Sequence, residues 1–147
     1  MNPDKSQNSL VASKPKVVFD LYEWLPSYGE SKVFFRTTAE SSLEVEILYD
    51  VSSEGAKLSK KKSILFDGVC SFCVSACPGV SVTSIDYHGS VEPGALMEFT
   101  DSEPARLWQR HFSWRKNLIR HFDLFFMAEN LRLEVFAEEC RLIDGSE

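Results

Sequence analysis

The chain predicts a single α+β domain, a mainly antiparallel β-sheet with one principal amphipathic helix at about 104–119 and a C-terminal β-hairpin after it. Three observations carry this reading. Short runs rich in β-branched and aromatic residues fill the first hundred positions. The apolar period then lengthens once, from two residues to that of a helix, and afterwards returns to two. The 147 residues are 44% hydrophobic and 26% charged, the composition of one globular core and not of a disordered chain.

Residues 1–14 are polar and are expected to form a flexible N-terminal segment, with the domain over 15–144. "KVVFDLY" (16–22) and "KVFFRTT" (32–38) are strand candidates, separated by a loop that contains Pro26 and Gly29. "SLEVEILYD" (42–50) alternates strictly. Leu43, Val45, Ile47 and Tyr49 face one way, and Glu44, Glu46 and Asp50 face the other, as in a half-buried antiparallel strand. "VSSEGAKLSKKKS" (51–63) reads as a polar connection whose lysines could protect a sheet edge. "ILFDGVCSFCVS" (64–75), "VSVTSIDY" (80–87) and "LMEFT" (96–100) are further extended runs.

Over 104–119, Leu107, Trp108, His111, Phe112, Trp114, Leu118 and Ile119 follow helical spacing as one apolar stripe, expected to lie against the sheet. "TDSEP" supplies the start. Thr100 and Glu103 have capping-box spacing, Ser102 is the alternative cap, and Pro104 falls in the first turn, where it costs no hydrogen bond. In the terminal hairpin Phe122, Leu124 and Phe126 share one face and Leu131, Leu133 and Val135 another, across a turn near Glu129-Asn130.

"CSFCVSACPG" (70–79) poses the main chemical question. The spacing Cys70-x2-Cys73-x3-Cys77-Pro78 matches the last three cysteines and the proline of a ferredoxin-type run. A four-iron cluster takes four thiolates, however, and Asp67 stands where the first would be. A zinc site meets the same shortage, with His88 or Cys140 needed to complete it. The simpler reading places the cysteines on strands flanking a wide turn at Pro78-Gly79. No cofactor is therefore expected. A metal or redox protein using Cys70, Cys73 and Cys77 is the alternative.

No nucleophile elbow, phosphate loop or zinc-protease helix is present. His121 and Asp123 share a strand face and, with a thiol such as Cys70, could form a nucleophilic set only if the fold brings them together. The net charge is −6, but residues 104–120 hold five basic residues and no acid, leaving eleven basic against 22 acidic residues elsewhere. That balance disfavours a phosphate backbone, so no nucleic-acid partner is expected. No apolar run is long enough to span a bilayer and the N-terminus lacks the apolar stretch of a secretory signal. A cytoplasmic location with no membrane partner is the expectation. The oligomeric state is open.

"GALMEFTDSEPARLW" followed by "NLIRHFDLFFMAENLRLEVFAEECRL" resembles a set of small bacterial α+β proteins, over roughly residues 64–143. Some of that set are immunity proteins encoded beside polymorphic or contact-delivered toxins. The resemblance implies a non-enzymatic protein-binding module that neutralises a partner, such as a basic toxin domain, by stoichiometric contact. Charge complementarity would speed capture. The candidate contacts are the outward carboxylates Glu44, Glu46, Asp50 and Glu134, which alternate with apolar core positions.

Overall fold

The computed structural model describes residues 9–26, 31–76, 85–126 and 130–145. β1 (Leu10–Asp20), β5 (Ser71–Ala76), β6 (Ile85–Tyr87), β7 (Ala95–Ser102), β8 (Arg120–Phe126) and β9 (Leu131–Ala137) form a six-stranded sheet in the order β5-β9-β8-β7-β1-β6. β2 (Ser31–Thr37), β3 (Leu43–Ser53), β4 (Ala56–Asp67) and β10 (Glu139–Asp144) form a four-stranded sheet in the order β10-β4-β3-β2. The single α-helix among the described residues, α1, covers Glu103–His111. No helix among them is long and apolar enough to cross a membrane.

The two sheets pack face to face. β3 turns Leu43, Val45, Ile47 and Tyr49 inward, as its alternation predicts, and β4 adds Ile64 and Phe66. They meet Phe122, Leu124 and Phe126 of β8 and Leu133 and Val135 of β9. The rings of Phe66 and Phe122 lie 5.5 Å apart and tie the sheets together at the centre. Each large apolar side chain removed from water in this layer contributes about 1.5–3 kcal/mol before entropy is counted.

The strand pairs are antiparallel with one exception. β6 runs parallel to β1, with Leu10 opposite Ile85 and Ala12 opposite Tyr87, so the larger sheet is mixed and not wholly antiparallel. A parallel neighbour has to arrive by a long connection, and β6 reaches the edge only after the chain has passed through the other sheet.

Several boundaries depart from the sequence reading. The first strand starts at Leu10, not at Lys16, so residues 10–14 of the expected flexible segment lie in the sheet and Ala12 is fully buried. Residues 1–8 lie outside the described chain. The expected polar connection 51–63 is instead the tip of the β3–β4 ladder, which pairs without interruption from Leu43↔Phe66 to Ser53↔Ala56. Glu54 (φ 50°) and Gly55 (φ 79°) form its two-residue turn. Positive φ at both positions is the geometry whose twist suits a hairpin, and glycine supplies the second at no steric cost. The lysines that follow are therefore ladder residues. The run 64–75 is two strands in different sheets, broken at Gly68. Gly68 has φ 63°, and a side chain there would run into the Glu138 carboxylate.

The helix is shorter than 104–119. Ser102, not Thr100, caps it by accepting the Ala105 N–H at 3.1 Å, and Pro104 sits in its first turn. It ends at His111 because tertiary contacts take over. The Gln109 side chain donates to the Asn117 carbonyl and accepts the Ile119 N–H at 2.7 Å, closing the 112–119 segment into a loop. Arg115 donates to the Gly68 carbonyl at 2.8 Å and stacks over Phe112. The predicted buried stripe is thus partly wrong. Trp108 and Phe112 pack on the cluster of Ala105, Ile119 and Phe136, but Leu107 is exposed, as are Trp114 (72%) and Leu118 (71%).

β8 and β9 pair antiparallel from Arg120↔Ala137 to Phe126↔Leu131. Residues 127–129, including Glu129 of the expected turn, lie outside the described chain, and Asn130 has φ 51°. β9 is not the end of the fold. The chain continues through Glu138 into β10, which joins the other sheet beside β4.

Candidate functional site

Register and alternation decide which carboxylates reach solvent. The outward face of β3 carries Glu44, Glu46, Leu48 and Asp50, flanked by Lys32, Phe34 and Arg36 of β2 and by Ser59, Lys61 and Ser63 of β4. Three predicted contact residues therefore share one sheet face. They are not a lone acidic patch. Arg36 reaches Glu44 at 3.5 Å and Glu46 at 3.8 Å, and Lys61 reaches Glu46 at 3.7 Å. Asp50 accepts a hydrogen bond from the Ser59 hydroxyl at 3.0 Å. Phe34, 46% exposed, stands directly across from Glu46 in the ladder. The face is thus a charge-alternating lattice with an aromatic side chain open to water on its edge strand, β2.

Glu134 belongs elsewhere, which corrects the expectation that it faces solvent. It lies on β9 opposite Asp123 of β8, on the side of the larger sheet away from the sandwich core. His121 Nε2 approaches Glu134 Oε2 at 3.0 Å, and the Tyr87 hydroxyl donates to the same oxygen. Arg132 forms a two-point pair with Asp123 at 2.6 and 3.1 Å. Tyr87 comes from edge strand β6, with β8, β7 and β1 between it and β9 in the sheet order. The contact shows that the six-stranded sheet is strongly curled, so that its outer face closes over its own polar residues.

The rings of Phe99 and Phe136 pack against His121, which is fully buried. Its Nδ1 lies 2.8 Å from Ser102 Oγ, the same oxygen that accepts the Ala105 N–H. The Ser102 proton can then go to Nδ1 and the Nε2 proton to Glu134, which satisfies every member. Burial pushes the Glu134 carboxyl up, but the hydrogen bonds from His121 and Tyr87 and the nearby charges outweigh it and hold the group below its ordinary range. Burial, reinforced by the bond to Glu134, pushes the Tyr87 hydroxyl well up. At Asp123 burial prevails over the pull of Arg132, and its carboxyl is raised.

Serine, histidine and carboxylate in this order are the parts of a nucleophilic relay. Here the serine is occupied as a helix cap and the histidine is sealed beneath aromatic rings. What the chain of bonds does is lock the start of α1 to β8, β9 and β6. His121 and Asp123 do share one face, as the period implies, but Tyr87, Ser102 and Glu134 complete the cluster, and the spacing of the first two carries no sign of these partners.

The cysteines separate. Cys70 is half-buried beside the Gly68 carbonyl, and burial raises its thiol pKa, while Cys73 is exposed on β5. Cys140 lies on β10 opposite Phe66, where burial pushes its thiol up to about 11. A raised pKa disfavours the thiolate that binds metal or attacks an electrophile. Cys77, Pro78 and Gly79 lie outside the described residues, and among the described ones no group of His, Cys, Asp and Glu is placed to hold a metal ion. The chain matches no protein-family model, no curated protein and no solved structure.

Proposed function

We propose that the protein is a cytoplasmic, non-enzymatic binding module of the immunity type, which captures another protein by stoichiometric contact through the outward face of the four-stranded sheet. The observation that supports this reading is the exposed Phe34 set among Glu44, Glu46 and Asp50 on a sheet whose opposite face gives Leu43, Val45, Ile47, Ile64 and Phe66 to the core. Binding energy concentrates in aromatic anchors ringed by polar groups, and surrounding charges set orientation and capture rate. A basic toxin domain is the partner this chemistry fits. Glu134 is not part of the surface, because it is engaged inside the fold. In this reading β8 and β9 are a hairpin, and β10, which follows it, joins the binding sheet beside β4.

The test is co-expression with the product of the neighbouring gene, copurification, and association kinetics at two salt concentrations. Phe34→Ala is expected to weaken the complex by about 2 kcal/mol or more, mainly through faster dissociation. Glu44→Lys with Glu46→Lys is expected to slow association, more at low salt than at high salt. Failure of the partner to copurify, or binding indifferent to all three changes, overturns the reading.

A further inference from the structure

A second surface lies on the inward side of the same sheet, at the open end where the core stops. There a cavity of 730 Å³ is bounded in part by Trp24, Tyr49, Val51, Lys60, Lys62 and Asp144. Such a volume falls within the range of small-molecule sites, about 300–1,000 Å³. Two kinds of wall meet in it. Trp24 and Tyr49 hold their rings 5.2 Å apart at a tilt of 47°, forming an aromatic corner. Register places Lys60 beside Tyr49, and the ammonium of Lys62 sits 4.9 Å from the Trp24 ring centre.

The charge of the cavity is incompletely neutralised. Lys62 pairs with Asp144 at 3.1 Å, but that carboxylate is 82% exposed, so the pair is weak and readily exchanged. No carboxylate among the described residues pairs with Lys60. Three consecutive lysines in a strand would ordinarily read as a solvated edge. Alternation instead sends Lys61 outward to Glu46 and leaves Lys60 and Lys62 on the inward side with the aromatic corner.

We propose that this cavity binds a small planar aromatic anion, with its ring against Trp24 and its negative group between Lys60 and Lys62. Aromatic walls favour a flat π-system, and two ammonium groups beside a low-dielectric surface favour an anion over a neutral molecule. Leu48, Ser59 and Lys61 of the outward row also line the cavity, but Trp24, Lys60 and Lys62 take no part in the proposed protein-binding face, so different variants test the two proposals.

The experiment is calorimetric titration of the full chain with AMP and with phenyl phosphate, against adenosine and inorganic phosphate as controls lacking the charge or the ring. Saturable binding of AMP or phenyl phosphate is expected, at least about tenfold tighter than either control. Lys60→Glu, which breaks no ion pair among the described residues, is expected to weaken that binding about tenfold or more without moving the melting temperature. Trp24→Leu is expected to abolish the preference for the ring-bearing anions over inorganic phosphate. Absence of saturable binding by both aromatic phosphates overturns the proposal. So does inorganic phosphate binding as tightly as they do, or Lys60→Glu leaving their affinity unchanged.

Discussion

β3 and β8 are the central strands of their respective sheets and look alike in sequence, each alternating apolar with polar residues. In "LEVEILYD" the polar set is graded, with Asp50 exposed and Glu44 and Glu46 half-buried under their cationic partners, while in "RHFDLFF" His121 and Asp123 are as inaccessible as Phe122 and Leu124. The difference lies in what covers the second face. Among the described residues no further layer covers the outward side of β3, so Glu44 and Glu46 pair with Arg36 and Lys61, side chains that themselves stand largely in solvent. The sheet around β8 curls, α1 sits beside it, and Tyr87 reaches across, so every polar atom there needs a specific partner. Among the described residues each buried side-chain nitrogen or oxygen has one. A polar position in an alternating strand thus identifies a face; exposure depends on the rest of the fold.

The largest expected difference between the strands comes from removing one carboxylate in each. Asp123→Ala leaves the Arg132 guanidinium without its two-point partner in a largely enclosed site, and is expected to cost about 3–5 kcal/mol. Asp50→Ala on β3 loses one exposed hydrogen bond and is expected to cost less than about 1 kcal/mol. Urea unfolding of both variants measures the contrast. Equal costs would mean that the β8 face is open to water.

A smaller effect is expected from pH. Glu134 and Glu98 both titrate below the ordinary value in the fold. At Glu98 burial works against the shift, but the Arg120 hydrogen bonds and the charges of Arg120 and Lys16 prevail. Groups lowered in this way add stability above their unfolded pKa, about 4.3, and lose it as pH falls through their folded values. Tyr87 is raised, so its contribution is complete below about pH 10 and is lost as pH rises beyond that. Asp123, also raised, opposes the acid loss. Melting temperature should therefore hold a plateau and fall at both extremes. Glu134→Gln should flatten the acid limb and Tyr87→Phe the alkaline one. An unchanged acid limb in Glu134→Gln would show that the carboxylate is not held by His121 and Tyr87.

The smallest effect is expected on the open face. Glu44→Gln and Glu46→Gln should each shift stability by less than about 1 kcal/mol, because their partners Arg36 and Lys61 stand largely in solvent, which screens the pairs. A cost near that of Asp123→Ala would mean that the Arg36 and Lys61 lattice is itself structural.

The amino-acid pattern alone is enough to specify the mixed α and β character, the buried side of β3, the face shared by Phe122, Leu124 and Phe126, and the start of the helix near Pro104. These follow from periods and caps that act within a few residues. It also placed Glu44, Glu46 and Asp50 on one outward row, because a strand leaves no other arrangement. At Glu54-Gly55 the local signal for a hairpin turn is a single glycine inside a polar run, a pattern that a loop shares. The rest follows from how the segments pack. The helix stops at His111 because Gln109 and Arg115 find partners that are distant in the chain or across the loop. Glu134 turns inward because Tyr87, 47 residues earlier, arrives on the same oxygen as His121. The cavity at Trp24 exists because a short turn after β1 and the middle of β4 meet at the end of one sheet. Apart from the Gln109 bonds, which close a local loop, these depend on contacts between segments far apart in sequence, and the period of a single segment carries no record of what will pack against it.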